Sequence, residues 1–471
     1  MALFSRRASA LVIPLALCSA HPASAQAPAA SATAPTPVGT VDFRTFTLPN
    51  GLRVIYAQDH TTPVVAVDIW YNVGSRNETP GHSGFAHLFE HLMFEGSAHA
   101  PKGLHSHLIE RAGGEDNAST AEDRTDYYAV VPSNNLNVVL WLEADRMRAL
   151  AVTEDAFHNQ RETVEEERRL RVENEPYGSV FAESITWLFD STTCFPYAHS
   201  VIGSVQDLDA AQLPEVQAFH TMYYAPNNAT LVVTGDFRVA ELRHLVNAYF
   251  ATIPSQPPPP RVTCKSRLSP GVERRTITDV HAMLPGIARL YRIPPHDDPD
   301  TPALGLLTVI LGEGESSRLN VGVVRRDKAA LGIQASINPY DSRRGPGVLV
   351  IFGVSNQGVT PATLDSLIGR ELDSLRTTGV GDDELAKAKN MLRADFVHSR
   401  ETAIGRAEEL QHYAMFHAAL SEINTDFDRY LAVTSADVRR VARKYLDPAN
   451  LLDVTVVAPA SATAPTGGNG E

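Results

Sequence analysis

Three cysteines in 471 residues are too few for a disulfide framework. Cys18 falls in an N-terminal leader, so Cys194 and Cys264 remain, and whether they pair is left open by the sequence. Positive charge is also short. Against 55 Asp and Glu there are 41 Lys and Arg, a formal net charge of −14. A chain of this balance is a poor fit to nucleic acid or an anionic membrane surface. The apolar stretch Ala10 to Ala20 is interrupted by Pro14 and is too short for a stop-transfer helix, so no membrane span is expected in the mature chain. The glycine-rich segment Gly312-Glu313-Gly314-Glu315-Ser316-Ser317-Arg318-Leu319 has neither the lysine nor the dinucleotide fingerprint that phosphate binding needs.

What is present reads as a soluble globular protein of two to four domains, with 43% hydrophobic and 20% charged residues. Residues 1–25 have the form of a signal peptide. Arg6-Arg7 make a positive start, an apolar stretch follows, and Ala23-Ser24-Ala25 supplies the small-x-small site, with cleavage after Ala25. The reading predicts a periplasmic or secreted protein with a mature charge of about −16. Cys18 as a lipoprotein cysteine is disfavoured by the bulky Leu17 before it, and twin-arginine export by the residues after Arg6-Arg7.

Residues 26–40 are rich in Ala and Pro and are expected to be disordered, as is the tail 459–471. The fold begins near Val41. Leu52 to Ala57 and Val64 to Val73 read as strands joined by a hairpin connection at Asp59 to Pro63. Helical patterns follow at 84–96, 102–111, 134–150, 154–174, 212–224 and 240–251, with strands at Tyr127 to Val131 and Thr230 to Thr234. The proline run in 254–261 can continue neither a helix nor a central strand, and it is read as a stiff linker between domains at 41–253 and 262–458. The flanking halves repeat. Tyr223-Tyr224-Ala225-Pro226-Asn227-Asn228 and Tyr445-Leu446-Asp447-Pro448-Ala449-Asn450 each join a helix to a terminal apolar strand, 222 residues apart. The expected fold class is α+β: two homologous α/β domains, each a mainly antiparallel sheet packed against helices.

The segment with chemical content is His87-Leu88-Phe89-Glu90-His91. On a helix the i, i+4 spacing puts both imidazoles on one face, so both can reach one cation. Glu90 lies beside that face, where a carboxylate can take a proton from a metal-polarised water. A bare histidine pair on a helix is most often structural or solvated. The inverted His-x-x-Glu-His order, embedded in apolar neighbours, is an arrangement that metalloproteases use. Two neutral imidazoles suit zinc, and a catalytic zinc needs a third protein ligand. Arg161-Glu162-Thr163-Val164-Glu165-Glu166-Glu167-Arg168-Arg169 offers four glutamates, among which spacing alone does not choose.

The order and spacing of several segments resemble the pitrilysin/insulinase peptidases, especially the short bacterial members and mitochondrial processing peptidases. These are Asn50-Gly51-Leu52, Gly74-Ser75-Arg76-Asn77-Glu78, Gly81 to His87 leading into Leu88 to Phe94, Gly113-Gly114, Asn117 to Thr120, Asp126-Tyr127-Tyr128 and Gln160-Arg161-Glu162. The resemblance implies Glu167, three residues after Val164, as the third ligand to one zinc ion per chain, with Glu90 as general base. It also implies that Asn117, Ala118, Ser119 and Thr120 form an edge strand that pairs with substrate. The family's usual acid seven positions before the ligand is here Gln160, for which Glu162 could compensate. His82, His99, His105 and His107 are assigned no metal role.

The second half has no second inverted motif between 262 and 457, although 312–319 resembles a recurring family segment. The family's non-metal half brings an Arg and, seven residues later, a Tyr. Here Arg326 is followed by Ile333, which implies a partner: a homologous half-length subunit lacking the metal motif. The function expected is zinc-dependent endoproteolysis of extended or unfolded peptides outside the cytoplasm. The alternatives weighed are a non-catalytic binding or assembly subunit on the same fold, and a zinc hydrolase of non-peptide substrates.

Overall fold

A computed structural model describes residues 39–265, 272–338 and 345–459. The expected signal peptide, nearly all of the Ala/Pro-rich segment and the C-terminal tail lie outside the described residues. Eleven strands among them form two sheets. The first contains β1 (Arg44–Thr47), β2 (Arg53–Gln58), β3 (Val64–Tyr71), β4 (Glu115–Thr120), β5 (Thr125–Pro132) and β6 (Ala229–Gly235), in the order β1-β2-β6-β3-β5-β4. The second contains β7 (Glu273–Thr278), β8 (Gly286–Ile293), β9 (Ala330–Asn338), β10 (Gly347–Ser355) and β11 (Leu451–Val457), in the order β7-β11-β8-β10-β9.

Apart from β1 the two sheets have one topology. β2 pairs with β6 in parallel, as β7 does with β11, and every other pairing is antiparallel. The repeated Tyr-x-x-Pro-x-Asn turn is built alike in both. The Asn228 amide donates to Tyr223 O at 2.8 Å and to Asn72 O at 3.4 Å; the Asn450 amide donates to Tyr445 O at 3.0 Å and to Arg292 O at 2.9 Å. Each asparagine thus fastens a helix end to the strand beside the turn. This side chain must carry a donor, which is why Asn recurs there.

The hairpin expected between β2 and β3 is absent: β6 lies between them, parallel to β2 and antiparallel to β3. Alternating apolar residues mark a strand but not its neighbour, and a five-residue connection is equally able to cross over an inserted strand. The helix expected at 154–174 is α-helical over Glu154–Arg168 and then widens to a π-helical turn at Arg169–Glu173, with Asn174 N donating to Arg169 O at 2.8 Å.

Both sheets are covered on both faces. In the first sheet Val54, Tyr56, Val65, Val67, Ile69, Leu231 and Val233 enter one core, while Ile55, Ala57 and Val232 enter another. That split follows the two-residue period of a strand. The first core holds the helices between residues 85 and 164 and between 205 and 250; the second is closed by Ala407, Leu410, Tyr413, Leu420 and Ile423, from far along the chain. The second sheet is treated reciprocally. Ala288, Leu290, Val348, Val350, Leu452 and Val454 pack on Val180, Leu188, Phe189, Cys194 and Tyr197 from before the proline run. Each half therefore lends a cover to the other's sheet.

The proline run is pinned at both ends. Asn227 exchanges two hydrogen bonds with Gln256, at 2.8 and 3.0 Å. Cys264 forms a disulfide with Cys194, with Cα atoms 4.3 Å apart, and Lys265 N donates to Thr193 O at 3.0 Å. No helix among the described residues is long and apolar enough to cross a membrane.

Candidate metal centre

His87, Glu90 and His91 lie on the helix Phe85–Leu92, which buries Phe85, Leu88, Phe89 and Leu92 in the first core. Its N-terminus is held by a charged cap. The Glu78 carboxylate accepts from Gly84 N and Ala86 N, both at 2.8 Å, and lies 2.9 Å from His199 Nε2. Two orphan N–H groups of the first turn are thus met by one negative group at the positive end of the helix dipole. Gly84 has φ +94°, and a Cβ there would stand 3.0 Å from Ile202 O, so the residue before the helix needs glycine's freedom.

The helix Glu154–Arg168 packs across the motif helix and carries Glu167. Glu167 Oε2 lies 3.3 Å from His91 Nε2 and 3.6 Å from His87 Nε2, and one donor atom from each residue falls within 4.8 Å of the others. Of the four glutamates only this one meets the histidines; Glu162 and Glu166 are exposed, and the half-buried Glu165 faces Arg161. Arg171 meets its other oxygen, Oε1, at 2.5 Å.

Electrostatics prepare the donors. Burial, and then the neighbouring His91, hold the His87 imidazole down at about 4, so it is neutral at neutral pH. Burial would raise the Glu167 carboxyl, but the hydrogen bond to His91 and the charges of His87 and Arg171 outweigh it and hold it at about 2. Burial lowers His91, yet its bond to Glu167 and the charge of Glu90 raise it overall. Glu90 is pushed up, by burial first, while Thr120 Oγ1 donates to its Oε2 at 2.6 Å.

Around this group stand Gln160, already placed near the ligand by the family spacing, and Glu95 and Lys102, which the sequence did not single out. His91 Nδ1 lies 3.2 Å from Gln160 Oε1, whose amide nitrogen donates to Glu95 Oε1 at 2.6 Å; Glu95 in turn pairs with Lys102 at 2.7 Å. Glu162 takes no part in this chain. Glu95 was legible in principle, since it sits four residues after His91 on the same helical spacing. Tyr127 Oη donates to Phe89 O at 3.0 Å and ties the motif helix to β5.

Asn117, Ala118, Ser119 and Thr120 lie on β4, which ends the first sheet and among the described strands pairs only with β5. Its last residue is the one that meets Glu90. His99 pairs with Asp145 at 2.6 Å, and His82 approaches Glu215 at 3.3 Å. In the second half Arg326 is paired with Glu371 at 2.6 Å, and Ile333 is buried in the core between the second sheet and its own helices, with Leu349 and Ile351.

Two imidazole nitrogens and a carboxylate oxygen, the former kept unprotonated or proton-sharing and the latter anionic, form a donor set that fits zinc. Comparison with known proteins agrees with the geometry. The profile of insulinase (peptidase family M16) matches residues 53–186, and that of the peptidase M16 inactive domain matches 210–392. A protein named zinc protease PqqE from Helicobacter pylori is 32% identical over 404 residues, 85% of this chain and 89% of its own. A protein named probable mitochondrial-processing peptidase subunit beta from Arabidopsis thaliana is 25% identical over 86% of this chain and 76% of its own. The crystal structure of a protease from Helicobacter pylori superposes with a TM-score of 0.83 at 28% identity, over 89% of this chain and all of that one. Pitrilysin shares the fold over 89% of this chain and 45% of its own, with a TM-score of 0.69 and 19% identity. On the matched profiles, the relatives and the shared two-sheet fold, the chain belongs to the insulinase family, peptidase family M16.

Proposed function

We propose that this chain is a zinc endopeptidase that hydrolyses extended or unfolded peptides outside the cytoplasm. The observation that carries the reading is the meeting of His87 Nε2, His91 Nε2 and Glu167 Oε2 beside the Glu90 carboxylate. His87, His91 and Glu167 would hold one zinc ion, which when bound supplies Lewis acidity to the scissile carbonyl and the attacking water. Glu90 takes the proton of that water and returns it to the leaving amine. Burial suits it to this work by raising its basicity, and Thr120 orients it through Oε2. Residues Asn117 to Thr120 receive the peptide as an added strand on the open edge of β4. Because main-chain groups do the pairing, extended conformation counts for more than sequence.

Ile333 is buried where the family resemblance puts a tyrosine, which supports a working enzyme completed by a homologous half-length subunit. We assign the halves to 41–253 and 262–458, with 254–261 as the link between them. The disulfide between Cys194 and Cys264 supports export, since such bonds persist in oxidising compartments. The deciding experiment is Glu90→Gln: zinc content stays at one equivalent while peptide hydrolysis falls by about 10²–10⁴. Unchanged turnover overturns the assignment of Glu90. Full activity of a chain that sediments as a monomer overturns the subunit partner.

A further inference from the structure

Among the described residues one other group of side chains brings three ligating atoms within 4.8 Å of one another: His296, His412 and His417. Their rings form a nearly equilateral triangle, with centroids 5.0 Å apart for His296 and His412, 5.2 Å for His296 and His417, and 5.3 Å for His412 and His417. Neither the family resemblance nor the proposed reaction uses them.

The local backbone explains the convergence. The helix Ala403–Phe416 ends one residue before His417, which leaves it in extended conformation (φ −106°, ψ 158°). A five-residue spacing that would diverge on a continued helix is thereby folded back onto His412. His296 comes from the turn after β8, behind Pro294-Pro295.

The third histidine is built as a ligand. His417 Nδ1 lies 2.9 Å from Glu422 Oε2, and its side chain is only 5% exposed. A carboxylate at Nδ1 holds the proton there and leaves the Nε2 lone pair for something else. That Nε2 atom is enclosed and has no hydrogen-bond partner in the structure. A buried, unsatisfied acceptor is costly unless it meets a cation or a donor. Asp426 adds negative charge nearby.

We propose that His296, His412 and His417 form a second metal site, taking a late first-row divalent cation with zinc foremost. Imidazole nitrogens suit this class over calcium or magnesium, which prefer oxygen. The site lies apart from the motif helix. Its helix covers the face of the first sheet opposite the motif helix, where Phe416 meets Trp70 at 6.3 Å. His296 belongs to the turn leaving the second sheet. An ion there would fasten the crossing helix to that turn, and so couple the two sheets.

The test is metal binding by the full mature chain with His91→Gln, which disables the first site. Cobalt(II) is the probe, because its visible absorption reports nitrogen coordination. The His91→Gln chain should bind one equivalent, zinc should displace it, and zinc should raise the melting temperature. Adding His412→Gln should abolish binding and the thermal shift while leaving the circular dichroism spectrum unchanged. Should that variant not fold, His296→Gln on the partly exposed turn replaces it. No cobalt bound by His91→Gln, or one equivalent retained after both histidine substitutions, overturns the second site. Neither result depends on peptidase activity, so the proposed reaction stands or falls separately.

Discussion

At the scale of single residues, the candidate metal centre depends on groups that never meet the metal. Gln160 presents an amide oxygen to His91 Nδ1 and is itself held by Glu95, so the imidazole is oriented by a neutral acceptor backed by an acid. Replacing Gln160 with Leu removes the acceptor while keeping the bulk, and zinc affinity measured against a competing chelator should fall about 10- to 100-fold. Unchanged affinity would show that packing alone orients the ring. Asp300 offers a pH-dependent counterpart in the second half. It accepts from Arg440 at 2.6 Å, Tyr445 at 2.8 Å and Lys444 at 2.9 Å. Burial would raise its carboxyl, but these three donors outweigh it and hold it at about 2, below the ordinary 3.8. A depressed carboxyl stabilises the fold above its unfolded value and loses that contribution as pH falls toward its folded one. Asp300→Asn should therefore cost on the order of 1–2 kcal/mol at pH 7, discounted because Arg440 and Lys444 are half exposed. The gap in melting temperature from the parent chain should close between pH 4 and pH 2. A constant gap would mean that the carboxylate's charge is not what stabilises this corner.

At the scale of elements, the motif helix is short, and its placement rests on its N-terminal anchor as much as on its apolar face. Glu78 serves Gly84 N, Ala86 N and the His199 ring together, so Glu78→Ala leaves two buried N–H groups without their acceptor, while the imidazole keeps only Ser75 O and Phe195 O. The expected loss is about 1–3 kcal/mol of stability, read by denaturant titration, with weaker zinc retention as the helix start loosens. Here the reach of the sequence becomes visible. The helices and strands around His87 and Thr230 were legible because their apolar periods are long and regular, and the repeated turn was legible because Pro and Asn sit at fixed offsets. The neighbour of β2 was not, since strand order is decided by contacts between β2 and β6 some 180 residues apart, which no local period encodes. Likewise, the inward turn of Glu167 among four glutamates depends on how two helices cross, and only the family resemblance singled it out beforehand. His296 and His412 were not read at all, because their convergence depends on where one helix stops.

At the scale of the whole molecule, the reciprocal covers matter most. Residues 180–197 lie under the second sheet and residues 407–423 under the first, so neither sheet has both faces covered by its own half. An isolated half would expose the apolar face of a sheet, with Ile55, Ala57 and Val232 in one case and Leu290, Val350 and Val454 in the other. The hydrogen bonds from Gln411 Nε2 to Asp68 O and Thr230 O, both 2.9 Å, reinforce the crossing from the second half into the first sheet. The chain should then unfold as one cooperative unit although it is a duplicated fold. Leu410→Ala is a sharp probe, since Leu410 is fully buried on the crossing helix and belongs to the core of the first sheet. The loss should be about 2–5 kcal/mol. If the halves are coupled, hydrogen exchange should quicken by a similar factor in β3 of the first sheet and β10 of the second. Faster exchange in β3 alone would mean that the exchanged covers add stability without joining the two sheets into one folding unit.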